Sequence, residues 1–198
     1  MTDQYCYRIT EPTEAEITIK GSKFIAYAYP VSSIEEIDAH VDALKAEHHK
    51  ARHHCYAYRL GADGEEYRAN DDGEPSGTAG LPIYNQLQSF EVSNTLVVVV
   101  RYFGGTLLGA PGLVRAYKQS TEEALKLAKR VRIVPKTQFT VTLPYPEVNT
   151  LMQSVDQWDM HIVEQIMDMT CTYTLECRKD DYEQIITGFD RTEIKLKD

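Results

Sequence analysis

At 198 residues and a formal net charge of −9, the chain suits one large domain or two small ones, either able to bury a core. The acidic balance argues against indiscriminate nucleic-acid binding. No apolar run approaches the roughly 20 residues that a membrane-spanning helix needs.

The N-terminal Met-Thr-Asp-Gln-Tyr-Cys-Tyr-Arg has no basic stretch leading into an apolar one, so no secretory signal is expected. Cys6, Cys55, Cys171 and Cys177 form no Cys-x-x-Cys pair and read as reduced, mostly packed thiols. A cytoplasmic protein with no membrane contact is the expectation.

Glu16 to Lys20 alternates weakly, Gly21-Ser22 reads as a turn, and Lys23 to Tyr29 as a strand. Ser32 or Ser33 is placed to cap a helix from Ile34, with Glu35 and Glu36 in its first turn. Ile34, Ile37, Val41 and Leu44 form that helix's apolar stripe, which fades by Glu47. His54 to Leu60 reads as a strand, followed by a turn over residues 61–64 and a short strand from Glu66 to Ala69. A helix is expected from about Gly77 to Leu87, with Ser76 as N-cap and Leu81, Tyr84, Leu87 and Gln88 facing inward.

Leu96 to Val100 is an unbroken apolar run, too short for a helix, and reads as a central strand covered on both faces. Gly104, Gly105, Gly109 and Gly112 then crowd a short loop. Leu113, Val114, Tyr117, Thr121, Ala124, Leu125 and Ala128 recur at helical spacing to about Lys129. Strand, glycine loop and helix in that order can present amide N–H groups to an anion. The loop is neither a Walker A motif nor a dinucleotide fingerprint, because Gly-Lys-Ser/Thr and the Gly-x-Gly-x-x-Gly spacing are both missing. Equally, the glycines serve close packing of helix on strand.

The pattern resets near Pro135. Thr137 to Leu143 reads as a strand, Glu147 to Asp156 as a helix, His161 to Gln165 and Met169 to Cys177 as strands. A helix near Asp180 to Ile186 and a strand near Thr192 to Leu196 complete a βαββαβ order, the ferredoxin-like pattern. The fold class is therefore α+β in two domains, residues 1–134 and 135–198.

Charge divides unevenly. Residues 1–135 hold 15 Lys/Arg against 18 Asp/Glu, whereas residues 136–198 hold 6 against 12. Arg115, Lys118, Lys126, Lys129, Arg130 and Arg132 follow the glycine loop with only Glu122 and Glu123 against them. That is either a phosphate-contacting face or a solvated helix face laced with ion pairs.

Asp71, Asp72 and Glu74 are spaced to hold Mg²⁺ with waters, although an acidic turn with Asx-type backbone bonds is the commoner use of such a loop. Ser76, Gly77 and Thr78 follow at an expected helix start, a second candidate anion site. His48, His49, Lys50, Arg52, His53, His54 and Cys55 form a basic, imidazole-rich segment. It lacks a second ligand pair for zinc and a local nucleophile signature.

Three segments occur in order: His53-His-Cys-Tyr-Ala, Asp71-Asp-Gly-Glu-Pro-Ser-Gly-Thr-Ala-Gly80 and Val98-Val-Val-Arg-Tyr-Phe-Gly-Gly-Thr-Leu-Leu-Gly109. Together with Gly112-Leu-Val-Arg-Ala-Tyr117 they closely resemble the YigZ/IMPACT family over most of residues 15–130. Residues 136–198 resemble, less specifically, the small C-terminal domain of its bacterial members. The resemblance implies a βαβ domain like domain IV of elongation factor G, ribosomal-protein-like and with a left-handed crossover. It implies a second domain like domain V of that factor. Eukaryotic relatives are associated with regulating translation in the amino-acid-starvation kinase pathway and with ribosomes.

The leading expectation is a non-enzymatic regulator of translation that binds RNA or the ribosome through its first domain. Ser76, Thr78, Arg101, Tyr102, Gly104, Gly105, Arg115 and Lys118 would form the nucleic-acid or anion-binding face, with Tyr102 stacking on a base. His53, His54, Asp71, Asp72 and Glu74 form an accompanying polar site. No catalytic residue, metal or cofactor is assigned. The alternatives are a Mg²⁺-dependent enzyme acting on a phosphorylated small molecule and a protein-binding adaptor in a translational stress response.

Overall fold

The computed structural model describes residues 6–62, 64–188 and 193–196. The chain divides into two compact units, the first ending at Ile133 and the second beginning at Val134. Its fold is α+β.

In the first unit, β1 (Tyr7–Ile9), β2 (Thr13–Ile19) and β3 (Ser22–Pro30) lead to α1 (Ile34–Glu47). Then come β4 (His53–Leu60), β5 (Glu66–Asn70), α2 (Gly80–Ser89), β6 (Thr95–Tyr102), α3 (Gly109–Leu127) and β7 (Arg130–Arg132). Five strands form an antiparallel sheet in the order β2-β3-β6-β4-β5. Strands β3 and β4 both oppose β6, so they run parallel to each other, joined through α1 with β6 between them.

The apolar run Leu96 to Val100 lies in the middle of that sheet, and all five residues are 0% exposed. Alternation explains this: Val97 and Val99 pack against α2 and α3, while Leu96, Val98 and Val100 pack against α1. Each such residue contributes roughly 1.5–3 kcal/mol by leaving water, which makes β6 the spine of the unit. Helix α1 starts where Ser33 accepts from the Glu36 amide, and it buries Ile37, Val41 and Leu44.

Helix α2 begins at Gly80, three residues later than the sequence indicates, and Ser76 is not its cap. Its inner face is Ile83, Gln86 and Leu87 with Gly80 and Pro82, whereas Leu81 and Gln88 are exposed. The face that meets the core is the one carrying Ile83 and Leu87, which leaves Leu81 on the outer side. Strands β1 and β7 pair as a separate two-stranded sheet, which three-residue strands without periodicity do not announce. Asp63 of the expected turn and the first five residues of the N-terminal segment lie outside the described residues.

The second unit runs β8 (Lys136–Leu143), a 3₁₀ turn, α4 (Val148–Gln157), β9 (His161–Met167) and β10 (Cys171–Arg178). A second 3₁₀ turn, α5 (Tyr182–Thr187) and β11 (Glu193–Leu196) follow. The antiparallel order β11-β8-β10-β9 is the ferredoxin-like arrangement. Phe139, Val141, Leu151, Tyr173, Leu175 and Ile185 fill its core. Thr192, expected to open the last strand, lies outside the described residues.

At the end of β6, Gly104 is wedged against the β2–β3 turn. A Cβ there would stand 1.9 Å from the carbonyl carbon of Gly21, an impossible separation. Gly104→Ala is expected to cost about 3 kcal/mol through forced backbone displacement, read in a melting experiment as a fall of roughly 6–12 °C. An unchanged melting temperature would show that the turn yields freely.

Candidate functional site

The loop between β5 and α2 is held down by its own carboxylates. Asp71 Oδ1 accepts from the amides of Ala79 (3.0 Å) and Gly80 (2.8 Å), and its Oδ2 accepts from Gly77 (2.8 Å). A side-chain anion thus already satisfies amides at the start of α2. The hydroxyl and amide of Thr78 both donate to the Pro75 carbonyl, and Ser76 is exposed without a capping bond. The expected anion site on Ser76 and Thr78 is therefore corrected, because Asp71 occupies it.

Glu74 is buried beneath the same loop, its side chain 4% exposed. Its Oε1 accepts from Arg101 Nη1 and from the Tyr117 hydroxyl at 2.8 Å. The Tyr117 hydroxyl lies 3.3 Å from Cys55 Sγ, which donates to the Asp71 carbonyl at 2.9 Å. Burial is the main reason that the Cys55 thiol and the Tyr117 phenol are both pushed well above their ordinary values. Cys55 therefore stays a protonated thiol, which suits packing and not nucleophilic attack.

Asp72 completes the polar layer. Its Oδ2 accepts from the His54 amide at 2.6 Å, and its carbonyl faces His53 Nδ1 at 2.9 Å. Its own amide donates to Asn70 Oδ1, an Asx-type turn. Burial lowers the His54 pKa. Asp71, Asp72 and Glu74 are all bonded to protein donors, the pattern of an acidic turn. Among the described residues, no group of three or more His, Cys, Asp or Glu is gathered for a metal ion.

Arg101 and Tyr102 do not act together. Successive strand residues face opposite ways, so Arg101 meets Glu74 on the α2/α3 side while Tyr102 faces α1. There the Tyr102 hydroxyl pairs with His48 Nδ1 and the Tyr27 hydroxyl with His48 Nε2, each at 2.9 Å. Arg101 is 7% exposed and paired, which removes it as a phosphate contact, and Tyr102 is tied down away from the glycine loop. The parity of the run from Leu96 carried this separation. The exposed aromatic side chain at the loop is Phe103, 55% exposed.

The glycine loop and the start of α3 remain open. The Gly104 amide donates to Ser22 Oγ at 3.1 Å, so it is not free for an anion. The amides of Gly105 to Leu108 make no hydrogen bond among the described residues. Arg115 and Lys118 are exposed; Arg115 donates to the Pro111 carbonyl, and Lys118 has no ion-pair partner among the described residues. Lys126 is paired with Glu122 and Glu123, and Lys129 with Glu11. A cavity of about 220 Å³ between α2 and α3 is lined by Gly77, Leu81, Pro82, Asn85, Gln86, Val114 and Lys118.

An open glycine loop on a five-stranded antiparallel sheet, followed by a ferredoxin-like unit, defines a two-domain α+β protein. The model of the Impact N-terminal domain matches residues 20–125, and the chain belongs to the IMPACT family. An IMPACT family member of Haemophilus influenzae is 39% identical over 152 residues, 76% of this chain and 74% of that protein. IMPACT family member YigZ of Escherichia coli is 40% identical over 147 residues, 73% of this chain and 72% of that protein. A crystal structure of a hypothetical protein, 30% identical, superposes with a TM-score of 0.75 over 98% of each chain.

The buried thiol gives a pH dependence of defined sign. Its folded pKa is raised, so its contribution is complete below the ordinary value of 9.0 and is lost as pH rises beyond it. The unfolding free energy is expected to fall above pH 9 by up to about 1.4 kcal/mol per pH unit for this group. Cys55→Ala should flatten the alkaline slope while lowering stability at neutral pH. An identical slope in wild type and variant would exclude the thiol as its source.

Proposed function

We propose that this protein is a non-enzymatic regulator of translation that binds RNA or the ribosome through its N-terminal domain. The observation that carries this reading is the open glycine loop. Unpartnered amides over Gly105 to Leu108 lead into the free first turn of α3, and the exposed cations Arg115 and Lys118 follow on the same helix. Amides position a phosphate and cations neutralise it. Family membership supports the translational setting, through the role that the sequence resemblance attaches to the eukaryotic relatives. Arg101 is left out of the interface because its charge is balanced by Glu74.

Ribosome cosedimentation through a density gradient tests this reading. Wild type is expected to travel with ribosomes at low salt and to be released as salt rises. Arg115→Glu with Lys118→Glu should abolish cosedimentation without changing the melting temperature, because both side chains are exposed. Undiminished binding by that double variant would refute the assigned face. Absence of binding by wild type at any salt would refute the reading itself.

A further inference from the structure

We propose that Phe103 is a stacking platform for an unpaired nucleobase, so that the RNA taken at the glycine loop is single-stranded. The inference rests on the RNA reading above and adds the class of RNA and the residue that selects it. Phe103 is a large apolar ring, 55% exposed, directly after a strand whose preceding residues are packed.

The chain on either side of Phe103 is held, and one contact backs its ring. On one side Tyr102 is bonded to His48; on the other, Gly104 donates to Ser22 and is wedged against Gly21. Behind it lies the Arg101 guanidinium, 5.7 Å from the Phe103 centroid and 5.5 Å from that of buried Phe24. Arg101 is itself fixed by Glu74. A platform so restrained loses little conformational entropy when a ligand settles on it.

The cation behind the ring also narrows the ligand. Aromatic faces carry negative charge that attracts cations. A guanidinium on one face draws on that charge, so the open face favours a flat, electron-rich base over a second cation. In a duplex the bases are already stacked, and only an unpaired base can reach the ring. The amides of Gly105 to Leu108 follow in the chain, placed for the phosphate backbone of the same strand.

Fluorescence anisotropy with a labelled riboadenylate decamer, alone and paired to its complement, tests the inference. Wild type is expected to bind the single strand more tightly than the duplex. Phe103→Ala should weaken the single strand about tenfold while leaving the salt slope unchanged, because the phosphate contacts remain. Phe103→Trp should keep the affinity, its added fluorescence quenched as RNA is titrated in. Equal wild-type affinity for both RNAs would overturn the inference. So would full single-strand binding by a folded Phe103→Ala protein, and if Lys118→Glu weakened that binding the anion face would still stand. Failure of wild type to bind either RNA would overturn this inference together with the function it rests on.

Discussion

A carboxylate sealed away from water must find donors or protonate, and Glu74 finds two, one from each of the elements flanking the glycine loop. Arg101 comes from the end of β6 and Tyr117 from α3. The contact therefore locks the β5–α2 loop onto strand and helix together. That fixes Asp71, whose carboxylate takes the amides that start α2, and it sets the register in which Ile83 and Leu87 reach the core. Tyr117 also meets Phe24 edge-on at 5.3 Å, tying α3 to β3. Removing Arg101 would leave a buried charge unpaired, a loss typically of about 3–5 kcal/mol, and removing the Tyr117 hydroxyl one of about 1–3 kcal/mol.

The same ion pair determines the electrostatics of the exposed face. Because Glu74 cancels Arg101, and Lys126 is matched by Glu122 and Glu123, the cations of α3 outside an ion pair among the described residues are Arg115 and Lys118. Two such cations would release few counterions, for a salt slope of roughly −1.4 to −1.8. The amide hydrogen bonds and stacking proposed for this face would add contacts that salt does not screen. The whole chain's net charge of −9 acts in the same direction, penalising any ligand held by charge alone.

The sequence carried the architecture well where periodicity is strong. Leu96 to Val100, the α1 stripe and the βαββαβ order of the second unit follow directly from spacing. It carried the site less well, because the polar residues there act across long separations. Asp71 caps a helix that begins nine residues later, and Glu74 meets side chains 27 and 43 residues away. Local rules favour Ser76 as the cap, since a hydroxyl ahead of an apolar stretch is the usual signal; a more distant carboxylate outcompetes it. The separation of Arg101 from Tyr102 was legible, since strand parity alone assigns them opposite faces. The burial of Arg101 was not, because a charged side chain at a strand end ordinarily reaches water.

The glycines of this loop and of the α2 start divide by physical role. Gly104 is required by space, since any Cβ would collide with the Gly21 backbone, and Gly80 is similarly closed in by Asn70, whose amide nitrogen would lie 2.5 Å away. Gly105 and Gly109 are required by conformation: at φ +87° and +70° a Cβ would meet nothing within 4 Å, yet the backbone is left-handed. Packing thus explains the first pair completely and the second not at all. Nothing in the core is relieved by bending the chain at Gly105 and Gly109. What the bends accomplish is to carry the segment between them across the surface with its amides unpaired, directly beside a restrained and exposed Phe103. A loop serving only to close helix onto strand has no use for that second pair, and their presence favours a ligand-facing role for it.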